Sequence, residues 1–135
     1  MTTSSLVRWQ HFFSGKPCEH GWSRFAEAVE MHGLHAAVKG APLSSRRWGA
    51  EHTYRADILA ILAQDADVDV RCYVASNPHT PVEVLAKLAH DADDDVRWRV
   101  AQNPQTPAEA LSALAHDEDA VVRSVAQDRL RPTTF

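Results

Sequence analysis

A 26-residue period in the second half of the chain constrains its fold more than any other feature. Asn77-Pro78 recurs as Asn103-Pro104, and Thr80-Pro81 recurs as Thr106-Pro107. The same spacing aligns three alanines, two sets of aspartates, three valines and three arginines: Ala63, Ala89, Ala115; Asp65, Asp91, Asp117; Asp67, Asp93, Asp119; Val70, Val96, Val122; and Arg71, Arg97, Arg123. Self-similarity at a fixed period of this length indicates stacked supersecondary units.

Each unit carries start and stop signals for two short helices. Thr80 followed by Pro81 predicts that the first helix starts there, with the Thr80 hydroxyl accepting a bond from the first turn and Glu83 completing a capping box. Asp93 predicts the N-cap of the second helix. That helix must stop near Gln102, because a residue before proline is disfavoured in the helical region. The Asn-Pro-x-Thr-Pro motif is therefore predicted to be a tight corner between helices.

The period weakens in both directions from these two units. Upstream, Leu59 and Leu62 stand where Leu85 and Leu88 would be, and downstream the pattern ends at residues 129–132. In this degenerate upstream unit, Trp48 aligns with Val74, Arg55 with Pro81 and His52 with Pro78. An array this short needs capped ends, because each unit buries apolar surface only against its neighbours.

The chain therefore divides into two predicted regions. Residues 48–135 are assigned to the repeats, and residues 1–47 to an N-terminal helical cap and linker. Within the cap, one helix is expected from Trp22 to about Lys39, with Gly33 weakening its middle, and residues 41–47 are expected to be a linker or turn.

Composition limits the class of protein and its compartment. The 135 residues are 44% hydrophobic and 24% charged, a balance typical of one globular domain. Cys18 and Cys72 are too few for a disulfide framework. The N-terminus has no secretory signal pattern, and Ile58–Ala63 is the longest clearly apolar run. These features predict a soluble cytoplasmic protein.

Charge is distributed unevenly along the chain. Residues 1–62 hold seven Lys/Arg against five Asp/Glu, whereas residues 63–135 hold seven against thirteen. An acidic repeat half argues against a nucleic-acid partner, because such affinity comes largely from neutralising phosphates. A nucleic-acid role remains an alternative that would use the basic residues of the first half: Arg8, Lys16, Arg24, Lys39, Arg46, Arg47 and Arg55.

The units resemble the leucine-rich repeat variant family, whose repeats have the form LAxDxDxxVRxxVAxNPxTPxExL. The match is close over Leu62 to Leu114, and weaker from about residue 48 to residue 130. The resemblance implies an all-α fold: a short right-handed solenoid of two-helix repeats, each an α-helix plus a shorter α- or 3₁₀-helix. One member of the family also has an N-terminal cysteine cluster that binds iron and sulfur. Cys18 alone in residues 1–62 cannot build such a centre, so no cofactor is expected.

The units differ from one another on one helix face. Four sets of aligned positions vary, at a spacing of i, i+3, i+4 and i+7: Asp69/Asp95/Val121, Cys72/Trp98/Ser124, Tyr73/Arg99/Val125 and Ser76/Gln102/Asp128. Solenoids bind partners on such faces, and Trp, Tyr and Arg are enriched in binding hot spots. We therefore predict a protein- or peptide-binding surface at Tyr73, Trp98 and Arg99, with Cys72 and Gln102 beside them. The alternative is a solvent face free to vary, with Trp98 partly buried against a neighbouring helix.

The recurring arginines suggest a ladder along the stack. Arg71, Arg97 and Arg123 recur with the same period as Asp65, Asp91 and Asp117, so we expect each Arg to pair with an Asp of its own or an adjacent unit. The alternative is a basic stripe that binds phosphate.

Motifs for catalysis or metal binding are weak. A cluster of His11, Cys18, His20, His32 and His35 offers a possible metal-binding or catalytic N-terminal region, but Cys18-x-His20 is tighter than the usual spacing of zinc ligands. His90 and His116 end the first helices of their units, where a cation favours the helix dipole. No nucleophile elbow, phosphate loop or paired-histidine zinc helix occurs. A non-catalytic interaction module is the expected function.

Overall fold

The computed structural model describes residues 33–132, and this part of the chain is helical without β-strands. Residues 33–39 are helical and end in a turn at Gly40. Seven α-helices follow: α1 (Leu43–His52), α2 (Ala56–Leu62), α3 (Val68–Ser76), α4 (Val82–Leu88), α5 (Asp94–Gln102), α6 (Ala108–Leu114) and α7 (Ala120–Leu130). The predicted all-α repeat architecture is confirmed. The cap helix predicted from Trp22 lies mostly outside the described residues.

The helices form two layers. The longer helices α1, α3, α5 and α7 pack side by side in chain order, and the seven-residue helices α2, α4 and α6 connect them. Leucines of the short helices and valines of the long ones form one continuous core between the layers. Leu59, Leu85, Val70, Val96 and Val100 have no exposed surface. Each unit buries its apolar side against the next, as a solenoid requires.

The prediction of a linker at residues 41–47 is wrong, because α1 begins at Leu43. The sequence alignment of the first unit was also displaced by one residue. Ser45, Gly49 and Ala50 of α1 are buried like Val70, Val74 and Ala75 of α3. A spacing of 25 residues relates these sets, which puts Gly49, not Trp48, at the position of Val74. A boundary after residue 47 would cut α1, so the first unit starts at Leu43.

Three of the long helices, α3, α5 and α7, begin at aspartate N-caps, as predicted for Asp93. Its carboxylate accepts a bond from the Asp95 amide, and Asp67 accepts one from the Val70 amide. Asp119 accepts bonds from the amides of Val121 and Val122. These bonds satisfy amides that have no partner within the helix.

The corner threonines have a different role from the one predicted. Pro81 and Pro107, not the threonines, are the N-cap residues of α4 and α6, and neither helix has a side-chain cap. The buried Thr80 hydroxyl instead donates to the Val74 carbonyl at 2.6 Å, and Thr106 donates to Val100 at the same distance. The threonine therefore satisfies the carbonyl end of the preceding long helix.

Replacing Thr80 by valine tests this role. Valine keeps the size of the side chain but leaves the buried Val74 carbonyl without its hydroxyl donor. We expect the free energy of unfolding to fall by about 1–2 kcal/mol, measured by urea titration. Thr53→Val offers no equivalent control, because Thr53 accepts a bond from the Arg55 amide. Thr106→Val should match Thr80→Val, and a loss in neither would show that the hydroxyls contribute nothing.

The corner asparagines connect successive units. The buried Asn77 amide donates to the carbonyls of Ala50 at 3.0 Å and Thr53 at 2.8 Å. Asn103 repeats this with Ala75 at 2.7 Å and Asn77 at 3.0 Å. The single side-chain oxygen of each asparagine accepts a bond from the backbone amide two residues ahead, which holds the turn. One asparagine thus fixes both its own corner and the end of the previous long helix.

Arg129 takes the asparagine position in the last unit. It stands 26 residues after Asn103, and its Nη1 donates to the carbonyls of Ala101 and Asn103. The same pair of carbonyls is therefore satisfied at each junction, although Arg129 is exposed and Asn103 is buried.

Candidate functional site

The recurring arginines lie at the junctions between units. Arg71 Nε is 2.9 Å from Asp91 Oδ2, and Arg97 Nε is 2.8 Å from Asp117 Oδ2. In both cases the acid belongs to the following unit, twenty residues ahead. Nη1 of each arginine also donates to a carbonyl of its own unit, that of Asp65 for Arg71 and that of Asp91 for Arg97. Each guanidinium therefore links two units.

The ends of the ladder differ from its middle. Arg46 forms the same contact with Asp65 at 2.8 Å, which places it in register with Arg71. Arg123 donates to the Asp117 carbonyl but forms no ion pair with any residue in the range 33–132. Four guanidiniums thus follow one line along the stack, and three of them are neutralised by carboxylates.

Several residues of the predicted binding surface lie at the protein surface. Tyr73 and Trp98 are partly buried and pack against the core with one side. Arg99 is partly buried, and its Nη1 donates to Ser76 Oγ of the preceding unit at 3.1 Å. Gln102 is exposed at the end of α5. Arg99 of α5 therefore contacts α3 of the preceding unit.

Cys72 was predicted to lie on the exposed binding surface, but it is buried in the structure. It is only 7% exposed and belongs to the core. Alignment with Trp98 and Ser124 suggested a surface position, but the short thiol is covered where α3 packs against its neighbours. Burial also raises the pKa of the Cys72 thiol, so it stays protonated at neutral pH. Cys72 is therefore left out of the surface considered below.

A groove lies beside Trp98, between the N-terminal ends of α5 and α7. It encloses about 260 Å³ and is lined by Asp94, Asp95, Trp98, Asp119 and Val121. We call it the Trp98 groove. Val121 is 59% exposed, so its side chain forms an open apolar wall of the groove. Sequence comparison of the units placed Trp98, Asp95 and Val121 on one variable face, but it did not single out Asp94 or Asp119.

Two of the N-cap carboxylates, those of Asp67 and Asp119, are held ionised. The Arg47 side chain, with the Val70 amide, lowers the pKa of Asp67. The amides of Val122 and Val121 lower the pKa of Asp119. At neutral pH the Trp98 groove is consequently an acidic site with an aromatic and an aliphatic wall.

Only His35 of the predicted histidine cluster belongs to the described part of the chain, where it is exposed. The other members, His11, Cys18, His20 and His32, lie outside the described residues. Of the alternative basic surface, Arg46, Arg47 and Arg55 each pair with an aspartate, and Lys39 is exposed. Arg8, Lys16 and Arg24 lie outside the described residues. None of the helices between residues 33 and 132 has the length and apolar character needed to cross a bilayer.

Paired helices stacked in register, with junctions closed by a repeated ion pair and a repeated asparagine, define an α-helical repeat protein. Two adjacent segments, residues 68–93 and 94–119, match the model of the leucine rich repeat variant family. The chain is similar to that family over these residues. Comparison with curated proteins and with solved structures gave no match.

Proposed function

We propose that this chain is a non-catalytic module that binds a protein or peptide through the outward face of its long helices. The surface is centred on Trp98 and Arg99, with Tyr73 and Gln102 at its edge. The observation that carries the proposal is the position of Trp98. The other units have Cys72 and Ser124 at this position, so the repeat does not need a large aromatic side chain there.

The residues that hold the repeat units together are different from the residues proposed to bind a partner. Junction arginines, corner asparagines and core valines all have internal partners or are buried, so they account for folding without a ligand. Tyr73 and Trp98 lie outside that framework and each leave part of a large aromatic surface accessible. Aromatic side chains flanked by arginine are the residues that most often dominate binding energy in protein interfaces.

The double variant Trp98→Ala and Arg99→Ala tests the proposal. Wild-type protein on a resin would capture partners from a lysate, and each partner would then be purified and titrated against both proteins. We expect the double variant to weaken binding at least about 30-fold, the loss typical of one hot-spot residue of 2 kcal/mol or more.

A matched control lies on the opposite layer. Val82→Ser and Lys87→Ala also remove one apolar and one cationic group from an exposed helix surface. This control should bind every partner as the wild type does. Equal affinities of wild type, double variant and control for every purified partner would contradict the proposed surface. The cytoplasmic location is a prediction from the sequence and is not needed for this experiment.

A further inference from the structure

Three equivalent junctions connect the four long helices. In the register set by Arg46, Arg71 and Arg97, the next residues along each helix are equivalent: Arg47, Cys72 and Trp98. Each of these residues lies at the junction with the next long helix, and the N-cap of that next helix is an aspartate. The aspartates are, in the same order, Asp67, Asp93 and Asp119. The chain therefore presents three versions of one site, and their differences show what each version is able to hold.

The first junction holds a guanidinium. Arg47 Nη2 is 2.9 Å from Asp69 Oδ2 and 3.3 Å from Asp67 Oδ2, and Arg47 Nε is 3.4 Å from Asp67 Oδ1. Asp67 Oδ1 accepts the Val70 amide at the same time. An N-cap aspartate in this repeat can thus cap its helix and hold an arginine together.

The third junction keeps the N-cap acid without the arginine, and Val121 stands there in place of Asp69. Asp119 Oδ1 accepts the amides of Val121 and Val122, and a side-chain hydrogen bond with Asp94 also helps to lower the pKa of Asp119. Within residues 33–132, Asp119, Asp94 and Asp95 form no ion pair with a basic side chain. Where Arg47 stands at the first junction, Trp98 supplies an aromatic wall.

We propose that the Trp98 groove binds an arginine side chain of the partner, with the guanidinium stacked on Trp98 and paired to Asp119. This inference rests on the proposed interaction function and specifies its ligand. Asp94 and Asp95 supply further negative charge at the rim. A groove of about 260 Å³ is smaller than most small-molecule sites, which span about 300–1,000 Å³, and suits one side chain.

Arginine fits this groove better than lysine. Its planar guanidinium stacks on an indole ring and offers a fork of donors to a carboxylate, whereas the lysine ammonium is a strongly hydrated point charge. The middle junction lacks this combination, because Cys72 is buried and has no aromatic surface. The site is therefore expected at the third junction and not at the second.

The experiment uses the full-length protein and three small probes: N-acetyl-argininamide, N-acetyl-lysinamide and the uncharged isostere N-acetyl-citrullinamide. Binding would be followed by the indole N–H resonance of Trp98, assigned by its disappearance in Trp98→Phe. We expect the arginine probe to shift this resonance saturably and to bind about tenfold more tightly than citrullinamide, which lacks the charge. Lysinamide should lie between them.

Two variants separate the groove from general electrostatics. Asp119→Asn keeps an oxygen that can cap α7 but removes the charge, so the arginine probe should bind about tenfold more weakly. Glu109→Gln removes one charge from the exposed surface of α6 and should leave binding unchanged. Trp98→Arg should fill the groove as Arg47 fills the first junction. This variant should abolish probe binding, read from the Val121 amide resonance, while circular dichroism stays unchanged.

Equal affinity for argininamide and citrullinamide, or full affinity in Asp119→Asn, would overturn the arginine site. The proposed function has a separate criterion. A partner whose binding is lost in Trp98→Ala and Arg99→Ala but is unchanged in Asp119→Asn would keep the interaction surface and refute only the arginine ligand.

Discussion

Asn103→Ala is expected to lower the free energy of unfolding by about 3 kcal/mol. The substitution removes two bonds to the carbonyls of Ala75 and Asn77 and one from the Gln105 amide. Asn103 is 3% exposed, so water cannot easily replace these bonds. The Asn77 carbonyl keeps the Thr80 amide as a donor, so the Ala75 carbonyl is the buried group left without one. A buried group left unsatisfied costs about 1–3 kcal/mol, and the loss of the other two bonds adds to this cost. Urea titration followed by circular dichroism at 222 nm would measure the loss.

Arg129→Ala provides the matched control. Arg129 occupies the same position one unit later and donates to the equivalent carbonyls, those of Ala101 and Asn103. The end of the stack is open to solvent there and Arg129 is exposed, so water can take over as donor. We expect a loss below about 1 kcal/mol. Similar losses in Asn103→Ala and Arg129→Ala would show that burial of the corner asparagine is not what stabilises the junction.

Features defined within one unit could be predicted from the sequence. The N-cap at Asp93 and the end of α5 at Gln102 follow from local rules of helix capping and from the proline that comes next. The period itself predicted that α3 and α5 are equivalent. Such features depend on residues that are close in sequence, so one sequence is enough to recognise them.

Features that depend on contacts between units were harder to predict. Asn77 and Asn103 recur with the period, but their donor role depends on carbonyls 24–28 residues away. Thr80 was assigned to an amide of the helix that follows, because a partner on the preceding helix, the Val74 carbonyl, cannot be recognised from local spacing. In the first unit α1 lies one residue out of the 26-residue register, which concealed the equivalence of Arg47 and Trp98. Sequence reasoning therefore placed Trp98, Asp95 and Val121 on one variable face but did not bring Asp119 to them.

The junction ion pair between Arg97 and Asp117 carries the largest expected effect. Their side chains are 10% and 7% exposed, and two hydrogen bonds of 2.8 and 3.2 Å join them. The Asp117 hydrogen bond, opposed in part by burial, raises the pKa of Arg97 above its usual value, so the guanidinium stays charged at every accessible pH. Removing Arg97 would leave an uncompensated carboxylate in a buried junction, and breaking a buried pair in this way typically costs about 3–5 kcal/mol.

Arg97→Met is therefore expected to lower the free energy of unfolding by about 3–5 kcal/mol, because methionine keeps much of the packing volume but none of the donors. Arg123→Met is its control, since within residues 33–132 the Arg123 side chain makes only the carbonyl bond to Asp117, and this variant should lose about 1 kcal/mol. Adding Asp117→Asn to Arg97→Met removes the stranded charge yet keeps an oxygen for the Asp119 amide. The double variant should thus recover part of the loss. Equal losses in Arg97→Met and Arg123→Met, with no recovery in the double variant, would show that the ion pair does not stabilise the stack.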